Sequence, residues 1–273
     1  MPELPEVETV RRGLEELIVG KTISKVDVFY PRMVVTGADD LKVSLRGQSL
    51  EKIGRRGKYL LFYFQKGLLI SHLRMEGKYR LESRADKPSK HDHVFFSFTD
   101  GTCLVYQDVR KFGTMEWLDL QQEDDYFAHK QLGPEPKLPD FDLAVFKAQV
   151  VKSKKPIKSA LLDQKLVVGL GNIYVDEVLF GAGIHPFRQG KDLKPKEISR
   201  LHHAILEMIE RAIALGGSTI RTYHNAFGAD GSMQELHKVY GKTGQPCQVC
   251  GQTIEKIKLG GRGTHFCPHC QKI

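Results

Sequence analysis

Long apolar runs are missing from this 273-residue chain. Nothing approaches the roughly 18 consecutive apolar residues that a membrane helix needs, and "YLLFYF" (59–64) has the length of a strand. The first twenty residues have neither the basic start nor the apolar middle of a secretion signal, so the expected location is the cytoplasm and no membrane is expected as a partner. Cysteine is scarce: there are five, four of them in the last thirty positions. No internal repeat is present, which excludes a solenoid. An acidic balance is missing too. The formal net charge of +8 makes a polyanion the natural partner, while many basic proteins bind none. The hydrophobic fraction, 41%, is that of an ordinary globular protein, and the length suits two or three domains.

What is present begins with "MPELPEVETV". Leu4, Val7, Val10, Leu14 and Leu17/Ile18 fall at helical spacing, Pro5 fits a first turn, and Gly20 ends the helix. Glu6 and Glu8 suit the positive end of the helix dipole. That helix leaves Pro2-Glu3 unexplained. From about 23 to 120 the pattern turns to short strands, with Lys66-Gly67 and Asp100-Gly101 as turns, the second read as a two-residue hairpin pair. An antiparallel sandwich or barrel with the first helix packed on it follows. "LGPEPKLPD" (132–140) is a proline-rich break suited to a linker. Beyond it Pro156 and Pro195 open helices, the second with a stripe of Ile198, Leu201, Ile205, Met208, Ile209, Ala212 and Ile213 stopped by Gly216-Gly217. "TYHNAFGADGSMQ" (222–234) reads as a loop.

Cys247-x2-Cys250 and Cys267-x2-Cys270 are separated by sixteen residues, the spacing of a four-thiolate zinc site on a hairpin. Without a secretion signal, two disulfides are disfavoured. Four protein ligands leave no open position, so one structural zinc is expected, with His265 and His269 as bystanders and Cys103 as a reduced core residue. Between the knuckles, "KLGGRGTHF" displays Arg262 between glycines, an arrangement suited to a phosphate or to an ordinary solvated hairpin.

"GLGNIY" (169–174) lacks the third glycine of a dinucleotide fingerprint; it reads instead as a tight turn into a helix capped by Asn172, whose free N–H groups suit a phosphate. Lys154, Lys155 and Lys158 lie just before it, as backbone ligands or as a solvated cluster. "HLRMEGKY" (72–79) and "DVRKFGT" (108–114) place Met75 and Phe112 in polar turns. Either these residues cap the sandwich core, or they are wedges for a base stack, with Arg110 entering the space of an extruded base.

Pro2 accounts for the remainder. Removal of Met1 before a small residue makes Pro2 a secondary amine. A terminal amine titrates near 8 against 10.4 for lysine, so its unprotonated fraction at neutral pH is larger by roughly two orders of magnitude. Its adduct with a carbonyl-like carbon is an iminium, an electron sink, and Glu3 beside it suits proton transfer.

With "PELPEVETV", Lys58 in "RRGKYL", "HLRMEGKY", "DVRKFGT", "GLGNIYVDE" and "GRGTHFCPHC" in order from residue 2 to about 271, the chain resembles the bacterial formamidopyrimidine-DNA glycosylases. The resemblance implies an α+β protein: an N-terminal helix with an antiparallel β-sandwich (1–131), a linker (132–136), a helix–two-turn–helix domain with a lesion-capping loop (137–235) and a zinc finger (236–273). It implies a monomer that removes oxidised purines from damaged double-stranded DNA and cuts the strand by β,δ-elimination. By the same resemblance Pro2 is the Schiff-base nucleophile, Glu3 the proton donor and acceptor, and Lys58 and Arg262 the donors for β- and δ-elimination as well as phosphate contacts. His72, His91, Arg110, Asn172 and Tyr240 become DNA contacts, and Met75, Arg110 and Phe112 fill the gap left by the flipped base. Near Ser153 the family has a basic contact, which the following Lys154 or Lys155 would supply; Lys158 is a further DNA contact, and 217–238 matches the loop that closes over the base. Two rivals are an endonuclease VIII-like pyrimidine glycosylase, whose opening Pro-Glu-Gly-Pro-Glu differs at Leu4, and a zinc-ribbon protein that binds DNA without cutting it.

Overall fold

The apolar positions of the opening helix decide its packing. In a computed structural model, described here for residues 1–83, 88–218 and 231–273, helix α1 (Leu4–Ile18) buries Leu4, Val7, Val10, Leu14 and Ile18 to 3% exposure or less. Burial of that stripe, at about 1.5–3 kcal/mol for each large side chain, anchors the helix. The described residues divide into two units: 1–130 with 218 and 231, and 131–217 with 232–273.

In the first unit, eight strands form two antiparallel sheets. One has the order β1 (Ile23–Val28), β6 (Asp92–Phe98), β7 (Cys103–Gln107) and β5 (Lys78–Glu82). The other has the order β2 (Leu50–Arg56), β3 (Tyr59–Phe64), β4 (Gly67–His72) and β8 (Thr114–Leu118). Their inward residues, among them Ile53, Phe62, Leu69, Val94, Phe96 and Leu104, share one core with α1. Cys103 is fully buried in β7, as its sequence context implies.

The strand reading of 23–120 missed α2 (Ala38–Leu45), a two-turn helix that buries Leu41 and Leu45, four residues apart, over the same core. Helix α3 (Glu123–Lys130) was also missed; its Tyr126 and Phe127 cover Leu61, Leu68 and Ile70 on the outer face of the second sheet. Two turns differ from expectation. Phe64 pairs with Gly67, so the tight turn is Gln65-Lys66 and Gly67 is a strand residue. A Cβ on Gly67 would lie 2.3 Å from the Trp117 ring, which explains the glycine by close approach rather than by turn geometry. Asp100-Gly101 lies inside a four-residue connection closed by Phe98 N–H donating to Thr102 O at 2.9 Å.

The second unit holds α4 (Leu143–Val150), α5 (Ile157–Leu162), α6 (Asn172–Ala182) and α7 (Pro195–Ala214), then the hairpin β9 (Glu255–Leu259) and β10 (Arg262–Phe266). Pro195 is the first residue of α7, while Pro156 is the cap before α5 rather than its first residue. The α7 stripe buries Ile198, Leu201, Ile205, Ile209 and Ala212, and it also contains His202, stacked on Phe141 at 4.3 Å and bonded through Nε2 to the Phe141 carbonyl. Met208 and Ile213, read as part of the stripe, are only half-buried. The proline-rich 132–140 segment is tied down at its start: Gly133 N–H donates to Gln164 O at 2.8 Å, and Val168 N–H to Pro134 O at 3.1 Å. The loop read at 222–234 lies mostly outside the described residues.

We predict that Gly67→Ala destabilises the protein by about 1–3 kcal/mol, because the methyl must displace Trp117 or the Leu118 carbonyl. Urea unfolding measures this; an unchanged midpoint would mean that β4 and β8 move apart freely.

Candidate active site

Glu3 caps α1, and the capping box with Glu6 includes Glu3 N–H donating to Glu6 Oε2 at 2.8 Å. Pro2 and Glu3 are buried, and Glu6 also accepts the Ser218 N–H at 2.7 Å through its other oxygen. The Met1 amine is held below its ordinary value of 8.0, mainly by burial; Glu3 and Glu6 oppose the shift and Lys58 adds to it. Pro2, Glu3 and Lys58 are therefore brought into one neighbourhood, in which a terminal amine is biased toward its neutral, nucleophilic form.

Lys58 sits in the Gly57-Lys58 turn between β2 and β3, 7% exposed. Glu8, read in the sequence only as a helix-dipole residue, braces that turn. Its carboxylate accepts from Arg12 and Arg55, and Arg55 Nη1 donates to the Gly57 carbonyl at 2.9 Å. Burial pushes the Glu8 carboxyl up, but its bonds to Arg55 and Arg12 outweigh that and hold it below the usual range. A signal was available: Glu8 lies one helical turn from both Arg11 and Arg12.

His72 ends β4, with its ring edge-on to Tyr59 at 4.6 Å and its Nδ1 accepting the Arg74 N–H at 3.0 Å. Burial, together with the charges of Arg74 and Lys58, lowers it from 6.5 to about 3, so it stays neutral. Met75 and Phe112 do not cap the core. They are 38% and 51% exposed, and the Arg110 guanidinium lies over the Phe112 ring at 4.7 Å. His91 is half-buried at the base of that second tip, its carbonyl accepting the Asp108 N–H.

In the second unit, Arg262 is exposed at the start of β10, after Gly260 and Gly261 at φ 54° and 78°. Asn172 is not the cap of α6: Gly171 is, and Asn172 is the first helical residue, its Nδ2 donating to the Gly263 carbonyl at 2.9 Å. Lys154 is exposed. Lys158 corrects the sequence reading. It is fully buried, and its Nζ donates to Asp176 Oδ1 (2.7 Å), Thr264 Oγ1 (2.9 Å) and the Gly263 carbonyl (3.2 Å). An ammonium with its three protons so committed holds the zinc hairpin and is not a phosphate ligand.

Asp176, a residue the sequence reading missed, accepts from His265 N–H (2.8 Å) and Nδ1 (3.1 Å) through its other oxygen. Its neighbour Glu177 accepts the N–H groups of Lys238, Val239 and Tyr240. Burial raises the Glu177 carboxyl in spite of those bonds. Tyr240 in turn packs against His265 at 4.8 Å.

The four thiols of Cys247, Cys250, Cys267 and Cys270 lie within 4.8 Å of one another, with separations of 3.5 Å and 3.9 Å for two of the pairs. A tetrahedral zinc with bonds near 2.3 Å sets its sulfurs roughly 3.8 Å apart, so the donor set fits one structural zinc. His265 is engaged by Asp176 instead.

Three family models match the chain: the formamidopyrimidine-DNA glycosylase N-terminal domain over residues 1–115, its H2TH domain over 132–224, and the zinc finger found in FPG and IleRS over 244–273. The formamidopyrimidine-DNA glycosylases of Streptococcus pneumoniae R6 and Streptococcus mutans are 60% and 57% identical to it, covering all of this chain and 99% and 100% of theirs. Among solved structures, a complex between the Lactococcus lactis Fpg and an abasic site containing DNA matches with a TM-score of 0.96 and 53% identity, covering 99% of this chain and all of that one. A complex of wild-type Lactococcus lactis Fpg and an N7-benzyl-Fapy-dG containing DNA matches with a TM-score of 0.96 and 52% identity over the whole of both chains.

One prediction concerns the buried Lys158–Asp176 pair and another the buried, neutral His72. Lys158→Met strands the Asp176 carboxylate and should cost about 3–5 kcal/mol; a urea midpoint near that of the parent would show that the pair holds nothing. Between pH 6.5 and about 3 the unfolded chain protonates His72 and the folded one refuses the proton. Stability should therefore fall with acidification through that window, by up to about 1.4 kcal/mol per pH unit from this group. His72→Gln should flatten the slope when melting is followed from pH 7 to 4, and equal slopes would contradict a neutral His72.

Proposed function

Because the chain belongs to the formamidopyrimidine-DNA glycosylase family, we propose that it removes oxidised purines, 8-oxoguanine and formamidopyrimidines, from duplex DNA and then cuts the strand at the abasic site. The observation that carries this reading is the amino-terminal site itself: Pro2 and Glu3 buried at the start of α1, with Lys58 close enough for its charge to act on the neighbouring Met1 amine.

After removal of Met1, the Pro2 nitrogen attacks C1′ of the extruded nucleotide as the glycosidic bond breaks and its electron pair leaves with the base. The Pro2 N–H proton passes to Glu3, which delivers a proton to the ring oxygen as the bond from that oxygen to C1′ breaks, leaving an iminium. That cation acidifies C2′: loss of a proton there expels the 3′ phosphate, and a second elimination expels the 5′ phosphate. Lys58 and Arg262 serve as the proton donors to the two leaving groups and as phosphate ligands. Hydrolysis of the iminium then frees Pro2. The zinc takes no part in these steps; it shapes the hairpin that carries Arg262.

The base must leave the stack before C1′ can be reached. Met75, Arg110 and Phe112, exposed on two tips, suit the gap it leaves, and His72, His91, Asn172, Tyr240 and Lys154 suit the DNA backbone on either side. Binding of this kind weakens steeply with salt. The reading carries with it a monomer that works on the chromosome in the bacterial cytoplasm. It also carries a division of the chain into 1–131, a linker 132–136, 137–235 and 236–273, in which the loop closing over the base falls largely outside the described residues.

Borohydride should trap a covalent protein–DNA adduct on an 8-oxoguanine duplex, peptide mapping should place it on Pro2, and Pro2→Gly should reduce it by at least about tenfold. An adduct mapped to a lysine, or an undiminished yield from the glycine variant, would overturn the assignment of the nucleophile.

A further inference from the structure

The two tips that carry Met75 and Phe112 share one foundation. Residues 108–113 wrap around the carboxylate of Asp108, which is fully buried. Its Oδ1 accepts the Arg110 N–H at 3.0 Å, and its Oδ2 accepts the Phe112 N–H at 2.9 Å and the Gly113 N–H at 2.8 Å. The Asp108 carbonyl is held as well, by His93 Nε2 at 2.8 Å. Gathering three amides on one side chain turns Lys111 to φ 57° and drives Val109 and Phe112 outward, 52% and 51% exposed. The other tip has the same character. Arg74 adopts φ 53°, and Gly77 N–H closes the turn on Leu73 O at 3.0 Å. A bulky residue at positive φ is strained, and such strain persists only where its surroundings enforce it.

Tyr106, 1% exposed and two residues before Asp108, joins the two tips. A Cβ on Gly113 would fall 1.7 Å from its hydroxyl oxygen, and a Cβ on Gly77 2.2 Å from the same atom. The last glycine of each tip therefore closes over one hydroxyl, and neither tip can shift inward without meeting it.

We propose that Asp108 and Tyr106 are positioning residues for base extrusion: together they hold the Met75 and Phe112 tips in one fixed geometry, so that both enter the duplex already ordered. This rests on the function proposed above and adds to it the device that makes the tips rigid. A side chain pushed between stacked bases works against their restacking, and a tip ordered beforehand loses little freedom on insertion. The carboxylate matters chemically. In Asp108→Asn, whichever way the amide turns, its NH2 faces one or two backbone N–H donors in place of an acceptor.

The test compares two substrates that differ in the need for a wedge. One is a duplex containing 8-oxoguanine; the other is a single-stranded oligonucleotide with a preformed abasic site, which has no opposite strand and no gap to fill. Asp108→Asn should lower excision from the duplex by about tenfold or more while strand cleavage of the single-stranded substrate stays within about twofold. A 2-aminopurine opposite the lesion should lose its insertion signal in the variant. Should the asparagine variant fail to fold, Gly113→Ala carries the same comparison. It should lose duplex excision selectively, and Tyr106→Phe in that background, which removes the clashing oxygen, should restore at least about threefold. Equal losses on both substrates, no loss on either, or no recovery from the second substitution would each overturn the positioning role. A wild-type protein inactive on both substrates would instead overturn the function on which the proposal rests.

Discussion

A carboxylate taken out of water must be met by donors, and the fold is organised around a few that are met by backbone amides or by a single cation. Glu6 gathers the amides of Glu3 and Ser218, Asp108 those of one tip, Asp176 a lysine and a histidine, and Glu177 three successive amides at 238–240. Each acts at short range and points several donors at one place, so a loop that would otherwise sample many conformations adopts one. Apart from Glu3, which also caps α1, the side chains with proposed chemistry sit beside these anchors rather than in them.

This division also explains why a basic chain opens with glutamates. Glu3, Glu6 and Glu8 are buried at 2%, 3% and 9% exposure, where they cap the first helix and brace the Lys58 turn. Among the described residues, seven acidic side chains are buried against two basic ones, so the surface is more positive than the net charge of +8 suggests. Acidity is used inside for architecture, and the basic residues left outside suit a polyanion.

Much of the site was legible because its signals are local. Cysteine spacing, the helical stripe of α1 and the Pro-Glu start each lie within one short continuous stretch of chain, and the sandwich followed from short strands with β-branched and aromatic side chains. What could not be read depends on contacts between distant segments. Lys158 looked like one of three surface lysines; its partners Asp176 and Thr264 lie 18 and 106 residues away. Gly67 looked like a turn residue until Trp117, fifty positions later, was seen to fill the space of its missing side chain. Helix α2 escaped because two turns give too few apolar positions to establish a period.

The seat of the zinc ribbon has a consequence for how such chains can be recombined. Its hairpin is held by Lys158 ahead of α6, by Asn172 at the start of that helix and by Asp176 one turn further on, while Glu177 grips the approach to the ribbon. The finger is thus no interchangeable cassette. A ribbon borrowed from another protein could bind its metal and fold, yet still present its arginine askew unless the matching helix were transplanted with it.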